Sequence, residues 1–282
     1  MKRAQSLSGD SPSAYNRRKY WGDGLLSFSG RRIVVTGAAS GIGLATAEIL
    51  AREGAEVIAV DVAGAPNIER CDLSRPDDID ALVGRLDDPI HGLCNVAGVP
   101  GSRPAEQVMA VNFLGLRHLT NALLPRLANS GAVVNVASAA GSGLRQRLEM
   151  SRELIATPNF ASGLDWCRAQ AMDGPDSYNF SKEAVIVYTM AASTAQRARD
   201  ISVNSVSPGA VETPILEDFY ATMDNDLLDQ LKAQAGGRND RPEEIAPAIA
   251  FLLGDDARWI NGTDLMVDGG AEVMIHLGSN AS

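Results

Sequence analysis

Thr36-Gly37-Ala38-Ala39-Ser40-Gly41-Ile42-Gly43 stands directly after the β-branched run Ile33-Val34-Val35-Thr36 and directly before the apolar-periodic stretch Ile42 to Glu53. Glycines let a chain turn tightly and let its backbone come close to a pyrophosphate, and the helix that follows offers free N–H groups at its positive dipole end. Glycine alone marks any turn. A glycine turn set between a strand and a helix is a phosphate-binding turn. Its candidate contacts are Gly37, Ser40, Gly41, Ile42 and Gly43.

The same alternation continues on both sides of the turn. Val57-Ile58-Ala59-Val60, Gly92-Leu93-Cys94-Asn95, Ala132-Val133-Val134-Asn135-Val136 and Ser202-Val203-Asn204-Ser205-Val206 read as further strands. Several are apolar at consecutive positions, as strands covered on both faces must be. Between them Pro76 to Leu86, Ala105 to Leu127 and Tyr178 to Arg199 carry helical periodicity, with Ser74-Arg75-Pro76 as an N-cap followed by a first-turn proline. Strand-helix alternation predicts an α/β fold with a doubly wound parallel sheet flanked by helices.

Composition sets the outer limits. The chain has 282 residues, 45% of them hydrophobic and 21% charged, which suits one large domain and argues against disorder. Thirty-five acidic against 25 basic side chains give a net charge of -10, a surface that repels nucleic acid. Three cysteines without metal-ligand spacing point to a reducing compartment. No apolar run approaches the roughly 20 residues that span a bilayer, and Ala4 to Ser13 is too polar to continue Met1-Lys2-Arg3 into a signal peptide. The expectation is a cytoplasmic protein with no membrane or nucleic-acid partner. Residues 1–30 read as an N-terminal extension whose Arg17-Arg18-Lys19-Tyr20-Trp21 lies on its own domain, and 31–282 as that domain. His91, His118 and His276 show no ligand spacing, so no metal is expected.

The second strand ends at Asp61, eighteen residues after Gly43. A carboxylate there accepts both hydroxyls of an adenosine ribose and repels a 2′-phosphate, which favours NAD over NADP. Cys71-Asp72-Leu73 follows the third strand, where Asp72 and Leu73 can meet the adenine edge. Tyr178-Asn179-Phe180-Ser181-Lys182 opens a helix with Tyr178 and Lys182 one turn apart on one face. An ammonium beside a phenol lowers its pKa from about 10, and such a tyrosine exchanges a proton with an alcohol or a carbonyl.

With these residues in order, the chain resembles a short-chain dehydrogenase/reductase from about Arg32 to Gly270. Thr36 to Gly43 resembles the family's cofactor turn, and Asn95-Val96-Ala97-Gly98 its Asn-Asn-Ala-Gly motif with valine at the second position. Asn112, Ser138, Tyr178 and Lys182 match its catalytic tetrad. Ser207-Pro208-Gly209 with Thr213-Pro214 matches its nicotinamide-side loop, and Asn261-Gly262 through Asp268-Gly269-Gly270 its last strand. The resemblance implies a Rossmann-type sheet and cofactor contacts from Asn95, Ala97, Gly98, Pro208, Gly209, Val211 and Thr213. It also implies roles for the tetrad. Tyr178 is the general acid/base, Ser138 holds the substrate oxygen, Lys182 holds the nicotinamide ribose, and Asn112 supports a relay water. It further implies a homodimer or homotetramer.

Ser138 and Tyr178 are 40 residues apart, where the family has about a dozen between them. The added stretch, Gly141 to Pro175, holds two helix-like segments, Leu144 to Ala156 and Phe160 to Met172. Leu144, Leu148, Phe160, Leu164 and Trp166 are candidates for one wall of a pocket beside the crevice. This arrangement resembles the 3α-hydroxysteroid dehydrogenase/carbonyl reductase and coniferyl-alcohol dehydrogenase subgroup. After Pro214, the apolar residues Ile215, Leu216, Phe219, Tyr220, Met223, Leu227 and Leu228 fit either a lid or plain helix packing.

The expected function is NAD-dependent interconversion of a bulky apolar secondary or allylic alcohol and its carbonyl, on a small-molecule substrate. Enoyl reductases of the superfamily space the two residues more widely than Tyr178 and Lys182. A non-catalytic dinucleotide sensor or scaffold is the alternative, and it has no need of the four tetrad residues.

Overall fold

The computed structural model describes residues 27–222 and 225–272. The Arg17–Trp21 patch, Met223 and His276 lie outside them.

Seven strands form one parallel sheet in the order β3-β2-β1-β4-β5-β6-β7. They are β1 (Arg32–Thr36), β2 (Glu56–Asp61), β3 (Glu69–Arg70), β4 (Ile90–Asn95), β5 (Leu127–Val136), β6 (Ser202–Pro208) and β7 (Asp264–Val267). The central strand shows why consecutive positions are apolar. Val34 packs into one core layer, while Ile33 and Val35 pack into the layer on the opposite face. The first layer includes residues of α2 (Pro76–Arg85), α4 (Leu116–Leu123) and α7 (Gly174–Ala195). The second includes residues of α1 (Gly41–Arg52) and α10 (Pro242–Leu253). Strand order reverses between β1 and β4, so a crevice opens beyond their carboxyl ends.

Four local readings differ from expectation. The stretch Ala105 to Leu127 is not one helix: α3 (Ala105–Met109) passes into a π-helical turn (Ala110–Gly115), then α4, then a 3-10 turn (Leu124–Arg126). Leu127 already belongs to β5, paired with Ile90. Pro125 closes the helical run, and the spacing of Leu123, Leu124 and Leu127 imitates one more turn of helix. At α2, Pro76 is a first-turn proline, but Arg75 is the N-cap residue and no side chain caps it. Ser74 instead donates its backbone N–H and its hydroxyl to Asp72 Oδ1 at 2.9 and 2.7 Å. The helix that carries Tyr178 begins before it, at Gly174, where the Asp173 side chain accepts the Asp176 N–H at 2.8 Å and Pro175 fits the first turn. At its other end α7 stops at Ala195, and a 3-10 turn (Arg197–Arg199) follows.

The insertion forms a 3-10 segment (Ala139–Arg145), α5 (Leu148–Ala156) and α6 (Phe160–Ala169). It lies against α3, the π-helical turn and α7. Arg117 of α4 clasps it. This guanidinium is 4% exposed and donates to the carbonyls of Leu154, Ile155, Thr157 and Asn159 at 2.8 to 3.3 Å, at the junction of α5 and α6. Four of the five expected wall residues, Leu144, Phe160, Leu164 and Trp166, therefore belong to a packing surface. Phe160 and Leu154 are buried in the first core layer, Leu144, Leu164 and Trp166 pack against it, and Trp166 stacks on Phe180 at 5.8 Å.

Candidate active site

A cavity of about 340 Å³ runs along the carboxyl ends of the strands. Its floor is the glycine turn. A Cβ on Gly37, which has φ +70°, would lie 2.9 Å from Ala97 Cα, and one on Gly43 would lie 2.0 Å from Gly37 O. Glycine at 37 lets the turn meet the loop after β4, and glycine at 43 lets α1 sit directly on the turn. Thr36 Oγ1 locks that meeting, accepting the N–H groups of Val96 and Ala97 at 3.0 and 3.1 Å. At one end of the cavity Asp61 accepts from Ala39 N at 3.1 Å and Ala63 N at 2.9 Å, with Asp72 and Leu73 beside it. At the other end stand Ser138, Tyr178 and Lys182.

All but two of the expected site residues line this cavity: Gly37, Ser40, Gly41, Ile42, Gly43, Asp61, Asp72, Leu73, Ala97, Gly98, Ser138, Tyr178, Lys182, Pro208, Gly209, Val211 and Thr213. Asn95 and Asn112 do not. The Asn95 amide is buried and donates to Thr120 Oγ1 and Asn135 Oδ1, both at 2.8 Å. Asn135 in turn donates to Thr189 Oγ1 at 2.9 Å. A buried amide needs partners, and these tie β4 and β5 to α4 and α7. The Asn112 side chain accepts Val99 N–H at 2.8 Å and donates to Val99 O at 3.0 Å. Its amide holds the Gly98–Val99 loop. The family resemblance marked both positions but not which way the amides are spent.

Burial governs the electrostatics of the reactive end. It pushes the Tyr178 phenol up to about 12, against the pull of the Ser138 hydroxyl. It also pulls the Lys182 ammonium down to about 8. The expected lowering of the phenol by Lys182 is not what dominates here: desolvation raises the phenol, and the one group that pulls it down is Ser138. Lys182 donates to Val136 O at 3.0 Å. Ser138 Oγ accepts Ala140 N–H at 3.2 Å at the start of the 3-10 segment.

Phe219, on α8 (Leu216–Thr222), meets the Tyr178 ring edge to face at 5.1 Å. It separates the first cavity from a second, of about 230 Å³, which also opens on Ser138 and Tyr178. Leu227, Leu228 and Leu231 of α9 (Asn225–Gln234), with Ala139, Ala210 and Ala271, make its walls apolar. Lys232, Arg238, Asn239 and Asp240 stand at its polar side. Helical spacing in the sequence marked Phe219, Leu227 and Leu228; nothing marked the contributions of residues 238–240 and 268–272. None of the five insertion residues expected as a wall lines either cavity. Among the described residues no cluster of His, Cys, Asp and Glu could hold a metal, and His118 pairs with Asp80 at 2.7 Å. No helix among them is long and apolar enough to cross a membrane.

A glycine turn under a helix N-terminus, at the reversal point of a parallel sheet, with a tyrosine and a lysine one turn apart across the cavity, defines an oxidoreductase of the dinucleotide-binding class. Family models agree. Residues 31–149 match the short chain dehydrogenase model, and residues 166–272 match a model described as enoyl-(acyl carrier protein) reductase. The chain belongs to the short-chain dehydrogenase/reductase family. It is 38% identical over 255 residues to coniferyl-alcohol dehydrogenase of Pseudomonas sp., covering 87% of this chain and 98% of that one. It is 34% identical to cis-4-hydroxycyclohexanecarboxylate dehydrogenase of Sinomonas cyclohexanicum, covering 86% and 97%. Among solved structures it is similar to 3α-hydroxysteroid dehydrogenase of Pseudomonas sp. B-0831 complexed with NADH, with a TM-score of 0.75, 34% identity, and 88% and 99% of the two chains covered. As an NAD(P)-dependent short-chain dehydrogenase, the protein is an oxidoreductase.

Proposed function

We propose that the protein interconverts a bulky apolar secondary or allylic alcohol, of hydroxysteroid or coniferyl-alcohol type, and its carbonyl with NAD, and that Tyr178 is its general acid/base. The observation that carries this reading is the pair of cavities meeting at Ser138 and Tyr178. One is floored by the glycine turn and carries Asp61 and Lys182 in its lining, suited to a dinucleotide; the other is walled by leucines and alanines, suited to the body of an alcohol.

The residues present fit a nicotinamide dinucleotide. A Cβ on Gly98 would stand 3.4 Å from Asn112 Oδ1 and 3.8 Å from Lys182 Nζ, so glycine there keeps open the space in front of Lys182. Gly41, Ile42 and Gly43 present the start of α1 to a pyrophosphate. Asp61 faces the adenosine end, where its charge favours ribose hydroxyls over a 2′-phosphate; this supports NAD as the cofactor. When bound, the oxidised nicotinamide supplies the carbon that accepts hydride, and a positive charge.

Ser138 donates to the substrate oxygen and holds it beside the Tyr178 phenol. In oxidation Tyr178 takes the alcohol proton; in reduction it returns one to the carbonyl. Burial keeps the phenol protonated at neutral pH, so the base form depends on cationic charge gathering beside it, and Lys182 supplies part of that charge. Lys182 also holds the ribose hydroxyls, while Asn112 fixes the loop that Gly98 occupies. The pairing of Tyr178 and Lys182 one helical turn apart favours alcohol chemistry over enoyl reduction, and both groups would be superfluous in a mere sensor.

The chain is read as a homodimer or homotetramer, as the family resemblance implies. An NAD-reduction screen across steroid, terpenoid and phenylpropanoid alcohols tests the function. Turnover of at least one bulky member, above that of small alcohols, is the expected outcome. Uniform silence with NAD bound would end the reading.

A further inference from the structure

Ser138 and Tyr178 must face the same substrate oxygen, yet they come from different elements 40 residues apart. What holds them in register is the start of the insertion. From Ser138 the 3-10 segment lies flat on α7, and two glycines let it do so. A Cβ on Gly141 would come 2.8 Å from Ile186 Cδ1 and 3.1 Å from the Lys182 backbone carbon, and one on Gly143 would come 3.0 Å from Glu183 Oε1. Gly141 N–H returns to Ser138 O at 2.8 Å.

Two residues past the segment, Arg147, the N-cap residue of α5, grips the same helix. Its Nε and Nη2 donate to the two oxygens of Glu183 at 2.9 and 2.7 Å, and its Nη1 donates to Asp176 Oδ1 at 2.5 Å. The guanidinium stands 5.1 Å over the Phe180 ring, and Glu183 is 3% exposed. At roughly 100° per residue, positions 176, 180 and 183 share one helix face, on the side opposite Tyr178 and Lys182. Arg147 therefore holds the back of α7 at points beside Tyr178 and Lys182, while the 3-10 segment just before it starts from Ser138.

We propose that Arg147, through its bidentate pair with Glu183, is a positioning residue that fixes the Ser138 turn against the Tyr178–Lys182 face of α7. This rests on the function proposed above, and it gives the insertion a role in catalysis besides the cavity lining that Ala139, Ala140 and Ser142 supply. A fork of two parallel hydrogen bonds fixes orientation as well as distance, which a point charge does not.

The test compares wild type, Arg147→Lys and the double variant Arg147→Met/Glu183→Met in thermal unfolding, NAD affinity, kcat and KM. Removing both charges leaves no buried carboxylate unpaired, so the double variant should unfold close to wild type. Its NAD affinity and KM should hold while kcat falls about 10- to 100-fold, the cost of roughly an ångström of misplacement. Arg147→Lys should recover part of that loss. A folded double variant with wild-type kcat would overturn the proposal, because a purely structural pair is rescued along with stability. Should that variant not fold, an unchanged kcat in Arg147→Lys overturns it equally. If wild type oxidises no alcohol, the functional reading fails separately. The positioning claim is then decided by crystal structures of wild type and Arg147→Lys, where an unchanged Ser138 Oγ to Tyr178 hydroxyl separation sinks it.

Discussion

Lys182 Nζ lies 5.7 Å from the centre of the Tyr178 ring and spends a hydrogen bond on Val136 O at 3.0 Å. The ammonium thus sits behind the phenol, tied to the end of β5, and burial lowers its pKa from 10.5 to about 8. Below about pH 8 Lys182 is protonated in both the folded and the unfolded chain, and the cost of burying its charge is fully present. Between about pH 8 and 10.5 the unfolded chain binds the extra proton, so this cost disappears as pH rises.

Lys182→Met should therefore be inactive and yet more stable than wild type at pH 7, by on the order of 2 kcal/mol after the lost hydrogen bond is set against the relieved charge. The gain should fade by about pH 10. Thermal unfolding of both proteins at the two pH values checks this; a gain that does not fade would show that charge burial is not its source.

Asp61 accepts two backbone N–H groups at the adenosine end, from Ala39 and Ala63. Asp61→Ser keeps a short acceptor for them while removing the charge. The ratio of kcat/KM for NAD over NADP should fall about tenfold or more, the equivalent of roughly 1.4 kcal/mol. A wild-type enzyme that works better with NADP would contradict the role given to this carboxylate.

Leu231 and Trp166 separate the two candidate pocket walls. Leu231 lines the second cavity, whereas Trp166 stacks on Phe180 away from it. Leu231→Ala removes about 60 Å² of apolar contact, worth roughly 1.5 kcal/mol or a tenfold loss in kcat/KM for a bulky alcohol relative to a small one. Trp166→Leu should lower the melting temperature and leave that ratio alone. The reverse pattern would return the insertion to the pocket.

The sequence carried the fold because its signals were local. A glycine turn between a β-branched strand and a helix has one structural meaning, and the run Ile33–Val35, apolar at consecutive positions, marks a strand covered on both faces. The meeting of Ser138, Tyr178 and Lys182 at one cavity was equally legible, since they stand at the end of a strand or one turn apart on a helix. The insertion was not. Periodicity says that Leu144, Leu164 and Trp166 are covered, but not by what, and a core and a pocket wall ask for the same side chains. The π-helical turn around Asn112 has no compositional mark either, and the direction of the Asn95 and Asn112 amides is settled by partners 13 to 40 residues away.

The most direct test of the account is the turnover of Tyr178→Phe measured beside its affinity for NAD. The substitution removes only the hydroxyl that exchanges the proton and keeps the ring that packs on Phe219. The account predicts an NAD dissociation constant near that of wild type, together with a kcat lower by about 100-fold or more for any alcohol the wild type oxidises. A Tyr178→Phe enzyme that binds NAD and turns over at the wild-type rate would contradict it.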